Sequence, residues 1–216
     1  MKTRLEPLLG AEGPALLYRA FLEDAARNYL WDGEWRSVLA ADPGADHPLL
    51  TALFPPPWRR EPQAQGGLGD RLEAAFRRET GLGAGYTLAV GSDHPTLPRA
   101  LLRSAFAALR DGSEAAIIPA EDGGYCAIAL RRGVDPAAAF TGIPWSTAEV
   151  MERTVERLRG SGASVAMLDT FYDVDRPEDI GRLSRDLAAR NSGADDYPRA
   201  TALALRMLEQ REAPPS

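Results

Sequence analysis

Residues 86–93 are Y-T-L-A-V-G-S-D, an apolar run that ends in a serine and an aspartate. A short apolar run with a polar end is typical of a buried strand, and the pattern over 97–110 predicts a helix directly after it. Strands alternate with helices along much of the chain, which indicates an α/β domain. We therefore expect three layers, α/β/α, around a mostly parallel, Rossmann-like sheet, with ligands bound beyond the carboxyl ends of the strands.

The same patterns place the other elements of the chain. Helices are predicted at 12–30, 69–79, 147–159, 177–190 and 194–210, and strands at 35–41, 115–120, 125–130 and 164–169. A loop rich in proline and glycine is predicted over 54–67, and it is long enough to serve an active site. Residues 1–210 are expected to form a single domain, followed by a frayed tail at 211–216.

The charge of the chain limits the class of ligand. Its 216 residues carry 25 basic and 31 acidic side chains, a formal net charge of −6 at pH 7. A nucleic-acid partner is not expected, because phosphate backbones require a dense basic stripe and the sequence has none. A small anionic substrate is compatible with this balance if nearby side chains or a bound cation neutralise it.

Redox chemistry and compartment follow from what the sequence lacks. The single cysteine, Cys126, excludes an intrachain disulfide and argues against a zinc cluster, and its apolar neighbours predict a buried, inert thiol. No uncharged apolar stretch reaches about 18 residues, and the chain does not begin with an apolar signal core. We therefore expect a cytoplasmic protein without a membrane span.

Asp93 lies at the carboxyl end of a predicted strand, in V-G-S-D-H-P-T-L-P (90–98). Two interpretations stay open here. Asp, Ser and Pro are typical of a helix entry, whereas a carboxylate at a strand end suits a divalent cation that bridges substrate phosphates. His94 is interpreted as a turn or surface residue and not as a catalytic base.

Two glycine-rich stretches each have a structural and a functional interpretation. Q-G-G-L-G-D (65–70) opens a helix, where exposed amides attract anions or ring carbonyls, but it lacks the Lys-Ser/Thr pair of a P-loop and is otherwise a flexible loop. P-A-E-D-G-G-Y (119–125) is typical of a hairpin turn, although its glycines also let a flat ligand approach the backbone.

One helix start carries a capping pattern in I-P-W-S-T-A-E-V (143–150). Ser146 and Glu149 predict a capping box, and Trp145 with Val150 predicts a hydrophobic staple. This structural interpretation dominates, although Trp145 at the rim of a pocket would also stack on a substrate.

F-Y-D-V-D-R-P-E-D (171–179) places four carboxylates within seven positions. Asp175 and Glu178 predict a second capping box, with Pro177 in the first turn of the helix. Asp173 lies before the cap and is not explained by it. From these residues alone, one alternative is a phosphatase-like hydrolase with Asp173 as the nucleophile and Asp175 as the acid.

Seven segments, taken in order along the chain, resemble the signatures of the glycosyltransferase-A-like family of rSAM/selenodomain-associated transferases. They are K-T-R-L (2–5), L-Y-R-A-F-L-E-D (17–24), Q-G-G-L-G-D-R-L (65–72), V-G-S-D-H-P-T-L-P (90–98), P-A-E-D-G-G-Y (119–125), I-P-W-S-T (143–147) and Y-D-V-D-R-P-E-D (172–179). The resemblance implies a nucleotide-diphospho-sugar transferase fold, similar to that of the molybdopterin guanylyltransferases and the sugar-nucleotide pyrophosphorylases.

The resemblance also implies a metal-dependent transferase that moves a glycosyl or nucleotidyl group from a nucleotide or nucleotide-sugar to a small-molecule acceptor. Asp93 and Asp175 match the catalytic carboxylates that hold Mg²⁺ or Mn²⁺, with Asp173 a less favoured ligand. Lys2 and Arg4 match the cationic loop that neutralises phosphates, although from the residues alone they form a solvated basic terminus.

Base recognition and the acceptor side are implied in the same way. The base would be read by Gln65, Gly66 and Gly67, and the sugar or acceptor would contact Asp122, Gly123, Gly124 and Trp145. Members of the family carry an apolar first strand before K-T-R-L, so the sheet is expected to lack this usual first strand. Three explanations stay open: a start placed too late, a shortened chain, or a chain that has lost activity. The last gives the alternative function, a non-catalytic nucleotide-binding or interaction protein that has lost the strand and its loop.

Overall fold

The computed structural model describes residues 2–30, 33–42 and 44–212 of the chain. A short 3-10 helix, Thr3–Leu5, comes first. The α-helices are α1 Glu6–Leu9, α2 Gly13–Asn28, α3 Pro48–Leu53, α4 Leu68–Gly81, α5 Arg99–Arg110, α6 Pro136–Phe140, α7 Val150–Gly160, α8 Pro177–Ala189 and α9 Arg199–Glu212. The strands are β1 Val38–Ala41, β2 Arg59–Pro62, β3 Tyr86–Val90, β4 Ala115–Pro119, β5 Tyr125–Arg131 and β6 Val165–Met167.

The strands form a four-stranded sheet and a separate parallel pair. The order in the larger sheet is β3-β5-β4-β6, where β5 runs antiparallel to β3 and β4, and β4 runs parallel to β6. Three of these four strands therefore share one direction, and β1 pairs with β2 in parallel. The predicted α/β class with a mostly parallel sheet is confirmed. Within the described residues β1 is the first strand, and no strand pairing joins β1 or β2 to the larger sheet.

Helices cover both faces of the larger sheet. One face packs against a cluster from α4, α6 and α7 that includes Phe76 and Phe140, and the opposite face packs against α5 through Ala105 and Leu109. Neighbouring residues of a strand point to opposite faces, so the continuous apolar run of β4 is buried on both sides. This arrangement gives the three layers that the sequence predicts.

A second apolar cluster holds the first residues of the chain in place. It joins the 3-10 helix to α2, α8 and the segment after β6, and Leu5, Val174 and Leu183 are fully buried in it. Burial of side chains of this size contributes about 1.5–3 kcal/mol each. Because Leu5 and Val174 share one core, Lys2 and Asp175 beside them are held close together.

Several elements differ from the sequence prediction. β2 lies inside the predicted loop, because pairing with β1 stabilises a strand whose arginines and proline do not favour one by themselves. The short helices α1, α3 and α6 were not predicted, and α9 extends to Glu212. Residues 213–216 lie outside the described residues, so the frayed tail stays a prediction. None of the described helices is both long and apolar enough to span a bilayer.

The start of α7 corrects the first predicted capping box. Ser146 adopts a left-handed backbone conformation with a φ of +66°, and the helix begins only at Val150. Ser146 therefore does not cap this helix. The Thr147 hydroxyl instead accepts a hydrogen bond from the Glu149 amide at 3.3 Å.

Candidate active site

The loop after β3 is fastened to the segment after β6 by two hydrogen bonds. The Val174 amide donates to the Asp93 carbonyl at 3.0 Å, and the His94 Nδ1–H donates to the Tyr172 carbonyl at 3.2 Å. Of the two predicted places for His94, the turn is confirmed, since its carbonyl accepts from the Leu97 amide at 3.0 Å, and the surface is wrong, since His94 is buried and burial lowers its pKa. The neutral imidazole links the two segments that carry the candidate carboxylates.

The phenol of Tyr172 ties the same segments to α8. Its hydroxyl donates to Asp186 Oδ2 at 2.6 Å and accepts from the Thr96 hydroxyl at 3.0 Å. The guanidinium of Arg182 lies 3.9 Å above the ring centre. Burial and the Asp186 carboxylate raise the pKa of Tyr172, so the phenol remains a donor at neutral pH. The corner after β6 is thus rigidly placed.

Two predicted carboxylates converge on a predicted cation. Lys2 Nζ lies 3.1 Å from Asp93 Oδ1 and 3.4 Å from Asp175 Oδ1, and Arg4 Nη1 donates to Asp175 Oδ2 at 2.6 Å. The Lys2 side chain is only 5% exposed. The interpretation of Lys2 as part of a solvated basic terminus is therefore wrong, whereas Arg4 is exposed on its outer side.

The end of α8 nearest this cluster is capped differently from the prediction. Asp179 Oδ2 accepts hydrogen bonds from the amides of Asp175 at 2.9 Å and Arg176 at 2.7 Å. Asp179, and not Glu178, therefore closes the cap, while Pro177 opens the first turn as predicted. These bonds fix the backbone of Asp175 and orient its carboxylate toward Lys2.

Asp173 lies two residues before Asp175 and has no ion-pair partner among the described residues. It is half-buried; burial raises the pKa of its carboxyl, and the negative charge of Asp122 adds to the effect. No group of three or more His, Cys, Asp or Glu side chains among the described residues is placed to hold a metal. A metal ion would therefore depend on Asp93 and Asp175, with phosphate or water oxygens completing its coordination.

The donor chemistry of this pair fits Mg²⁺ or Mn²⁺, but its geometry fits an ammonium. Mg²⁺ prefers one or two carboxylates together with phosphate oxygens and water, at about 2.0–2.1 Å. The contacts of Asp93 and Asp175 to Lys2 Nζ are 3.1 and 3.4 Å, which suit N–H···O bonds. A metal ion at the same point requires Lys2 to leave and the carboxylates to move inward.

The glycine loop before α4 is held by its own contacts. The Gly67 amide donates to Asp70 Oδ2 at 2.8 Å, and Arg71 Nε donates to the Gly66 carbonyl at 3.0 Å. Gly66 has a φ of +106°, and a Cβ there would lie 2.5 Å from Asp70 Oδ2, so this position requires glycine. Gln65 is exposed. Arg71 was not predicted as a part of this loop, because its spacing of five residues from Gly66 matches no recognised motif.

The glycine loop and the carboxylate pair are not joined by any polar contact that the structure describes. Among the described residues, no hydrogen bond or ion pair links Gln65, Gly66 or Gly67 to Asp93 or Asp175. Any ligand that uses both has to bridge them.

The glycines between β4 and β5 form the predicted hairpin turn. Gly123 has a φ of +91°, and a Cβ there would lie 2.2 Å from the Ala148 carbonyl oxygen. Its own carbonyl accepts from the Met151 amide at 2.9 Å, and the Asp122 carboxylate accepts from the Gly124 amide at 2.9 Å. Close packing against the start of α7 therefore explains Gly123 without a ligand.

Trp145 is packed between two elements. Its ring meets Tyr125 edge to face with 6.3 Å between centroids, and a Cβ on Gly69 would lie 2.6 Å from its Nε1. The side chain is half-buried, which leaves part of the indole accessible.

The single cysteine, Cys126, is buried as predicted.

Comparison with known proteins finds a matching family model and similar solved structures. The model of a family described as uncharacterized protein conserved in bacteria (DUF2064) matches residues 25–147. A solved structure titled "putative nucleotide-diphospho-sugar transferase" from Desulfovibrio desulfuricans G20 is 30% identical, covers 96% of this chain and 91% of its own, and superposes with a TM-score of 0.80. No protein of curated function matches the chain.

A more distant likeness supports the fold alone. The structure of CMP:2-keto-3-deoxy-manno-octonic acid synthetase complexed with CTP is 13% identical, covers 78% of this chain and 87% of its own, and has a TM-score of 0.51. The nucleotide-diphospho-sugar transferase fold expected from the sequence is thereby confirmed.

Proposed function

This chain belongs to the family described as uncharacterized protein conserved in bacteria (DUF2064), and from that premise we propose that it is a metal-dependent transferase with a nucleotide or nucleotide-sugar donor. The observation that carries the proposal is the convergence of Asp93 and Asp175, with Lys2 and Arg4 between and beside them, near the carboxyl end of β3. Ligands of α/β sheets bind at such ends.

The proposed roles follow from charge. Asp93 and Asp175 hold Mg²⁺ or Mn²⁺, while Lys2 and Arg4 donate hydrogen bonds to donor phosphates. When bound, the metal ion supplies electrophilic stabilisation of the charge that develops on the phosphate leaving group. Lys2 and Arg4 stabilise the same charge in a partly dry site, where a fixed cation is more effective than in water. Asp173 is a less favoured alternative ligand for the metal ion.

The remaining contacts of the proposal concern the base and the acceptor. The exposed amide of Gln65 and the backbone of Gly66 and Gly67 read the edge of the base. A small-molecule acceptor contacts the turn between β4 and β5 and the nearby indole ring. The residues are Asp122, Gly123, Gly124 and Trp145. Whether a glycosyl or a nucleotidyl group moves depends on the donor, and both belong to the proposal.

The narrower membership in the rSAM/selenodomain-associated transferases also belongs to the proposal and is supported by the seven ordered motifs. A second candidate is a non-catalytic nucleotide-binding protein. It is favoured by one observation, that β1 and β2 form a pair apart from the main sheet within the described residues. The phosphatase-like alternative has no such support, because Asp175 contacts Lys2 and Arg4 in the structure and the companion motifs of such hydrolases are missing from the sequence.

The test of the proposal starts with ligand-dependent stability. A panel of nucleoside triphosphates and nucleotide-sugars, each with and without Mn²⁺, is screened by thermal shift. A ligand at 100 times its Kd stabilises the folded state by about 2.7 kcal/mol, which corresponds to roughly 5–10 °C for a chain of this size. We expect at least one ligand to act in this way, and only with the metal ion.

Asp93→Asn tests the assignment of the site. The variant should keep its fold, since the Asp93 side chain is 43% exposed and asparagine has nearly the same shape, and should lose the metal-dependent shift. The matched control is Asp195→Asn, which removes one charge from an exposed side chain that makes no described polar contact. Calorimetry that gave equal ligand affinity for Asp93→Asn and the control would contradict the site. Donor consumption followed by ³¹P NMR with Mg²⁺ then separates an enzyme from a binding protein.

A further inference from the structure

Lys2 is the only lysine of the chain, in which the other 24 basic side chains are arginines. An ammonium is a compact cation with three N–H donors, whereas a guanidinium is a flat fork. The ammonium is thus the basic group whose shape is closest to that of a metal ion. It lies, with its side chain 5% exposed, between the two carboxylates that the proposed function assigns to a metal ion.

The charges of this cluster are already balanced. Asp93 and Asp175 contribute two negative charges, and Lys2 and Arg4 contribute two positive charges. A divalent cation that enters the closed cluster would lie close to the Lys2 ammonium, and Coulomb repulsion at this range is strong where water is partly excluded. A metal ion alone therefore has to displace Lys2 and leave a buried ammonium without a partner.

We infer that Lys2 is an internal counter-ion of the carboxylate pair, and that a divalent cation binds the pair only together with a phosphate ligand that takes over the ammonium. The inference rests on the proposed function for the chemical class of that ligand. Phosphate oxygens accept hydrogen bonds from an ammonium, so an incoming diphosphate gives Lys2 a new partner while the metal ion takes Asp93 and Asp175.

Two consequences follow from the exchange. Metal ion and diphosphate bind cooperatively, and by linkage each raises the affinity of the other by the same factor. The site also stays closed to Mg²⁺ that is free in solution. When the ligands leave, the Lys2 ammonium returns to the same position between the carboxylates. The reason is that Leu5 anchors this segment in the core and its amide donates to the Lys2 carbonyl at 3.0 Å.

The first test measures Mn²⁺ binding without any nucleotide, by calorimetry and by the EPR signal of free Mn²⁺. Lys2→Met keeps the length of the side chain and removes its charge, so it should bind Mn²⁺ roughly tenfold or more tightly than the wild type. Addition of Asp93→Asn should abolish this gain. Arg77→Met is the matched control, because it removes a positive charge that pairs instead with Glu73 and Asp135. Equal Mn²⁺ affinity in wild type and Lys2→Met would overturn the inference.

The second test uses the wild type, so it does not depend on how well a variant folds. Lysine labelled with ¹³C at Cε gives a single side-chain resonance, since the chain has one lysine. Mg²⁺ alone should leave this resonance in place, and Mg²⁺ with inorganic pyrophosphate should shift it. A shift with Mg²⁺ alone, or no shift with both, would overturn the inference. Failure of every nucleotide in the thermal screen would instead remove the proposed function and leave the Mn²⁺ result standing.

Discussion

Removal of one hydroxyl group should measure how firmly the fold positions the carboxylate pair. Tyr172→Phe deletes the donor to Asp186 at 2.6 Å and the acceptor for Thr96 at 3.0 Å, while the ring and its contact with Arg182 remain. Tyr172 is 3% exposed and Thr96 is fully buried, so water does not readily replace either bond.

The magnitude follows from the two bonds. A hydrogen bond to a charged group contributes about 1.5–3 kcal/mol and a neutral one about 1 kcal/mol. We expect Tyr172→Phe to lower the free energy of unfolding by about 2–4 kcal/mol, toward the upper end because the Thr96 hydroxyl is left unpaired. For a chain of this length the corresponding fall in Tm is about 5–12 °C.

The assay is urea denaturation followed by circular dichroism and tryptophan fluorescence, with Tyr86→Phe as the control. Tyr86 is 37% exposed at the start of β3 and its hydroxyl makes no described hydrogen bond, so the control should change stability by less than about 0.5 kcal/mol. A loss for Tyr172→Phe no larger than that of Tyr86→Phe would refute the network. A double-mutant cycle with Asp186→Asn should return a coupling of about 1 kcal/mol or more.

Two further predictions concern the turn and the thiol. Gly123→Ala should lower the free energy of unfolding by at least about 2 kcal/mol, because its φ of +91° and the Ala148 carbonyl oxygen 2.2 Å from the new Cβ both oppose a side chain. Gly44→Ala is the control, since a Cβ there meets nothing within 4 Å. Equal losses in urea denaturation would contradict this packing. Burial raises the pKa of the Cys126 thiol to about 12, so at pH 8 the folded protein holds almost no thiolate, whereas in urea the pKa returns to about 8.5. Iodoacetamide should therefore label Cys126 much faster in urea than in buffer at pH 8, and rapid labelling of the folded protein, measured by mass spectrometry, would show that the thiol is accessible.

Strands and long helices were predictable because their signals are local. The continuous apolar run of β4 and the periodic pattern of α5 each contain enough information in about a dozen residues to decide their type. β2 was not predictable in this way, since its strand conformation depends on hydrogen bonds to β1 some twenty residues away. The residues of β2 by themselves do not indicate that β1 is their partner strand.

Caps were predicted in kind but not in detail. F-Y-D-V-D-R-P-E-D offers several acidic residues at capping distance, and the sequence favoured Glu178 where the structure uses Asp179. Which acidic residue caps α8 depends on the residue at which the helix begins. The packing of Val174 into the core decides that position. The predicted Ser146 cap was wrong because tertiary contacts also decide where α7 begins. The Met151 amide donates to the Gly123 carbonyl at 2.9 Å, and the helix begins at Val150.

The sequence by itself determined the α/β class and singled out Asp93 and Asp175 as candidate carboxylates, since these depend on pattern and residue chemistry. Only the tertiary structure decided that Asp93 and Asp175 face one cation and that this cation is the ammonium of Lys2, 173 positions from Asp175. The sequence favours solvent for a lysine at the second position. Burial of Leu5 in the core shared with Val174 overrides that preference, because the apolar anchor fixes where the charged neighbour must lie.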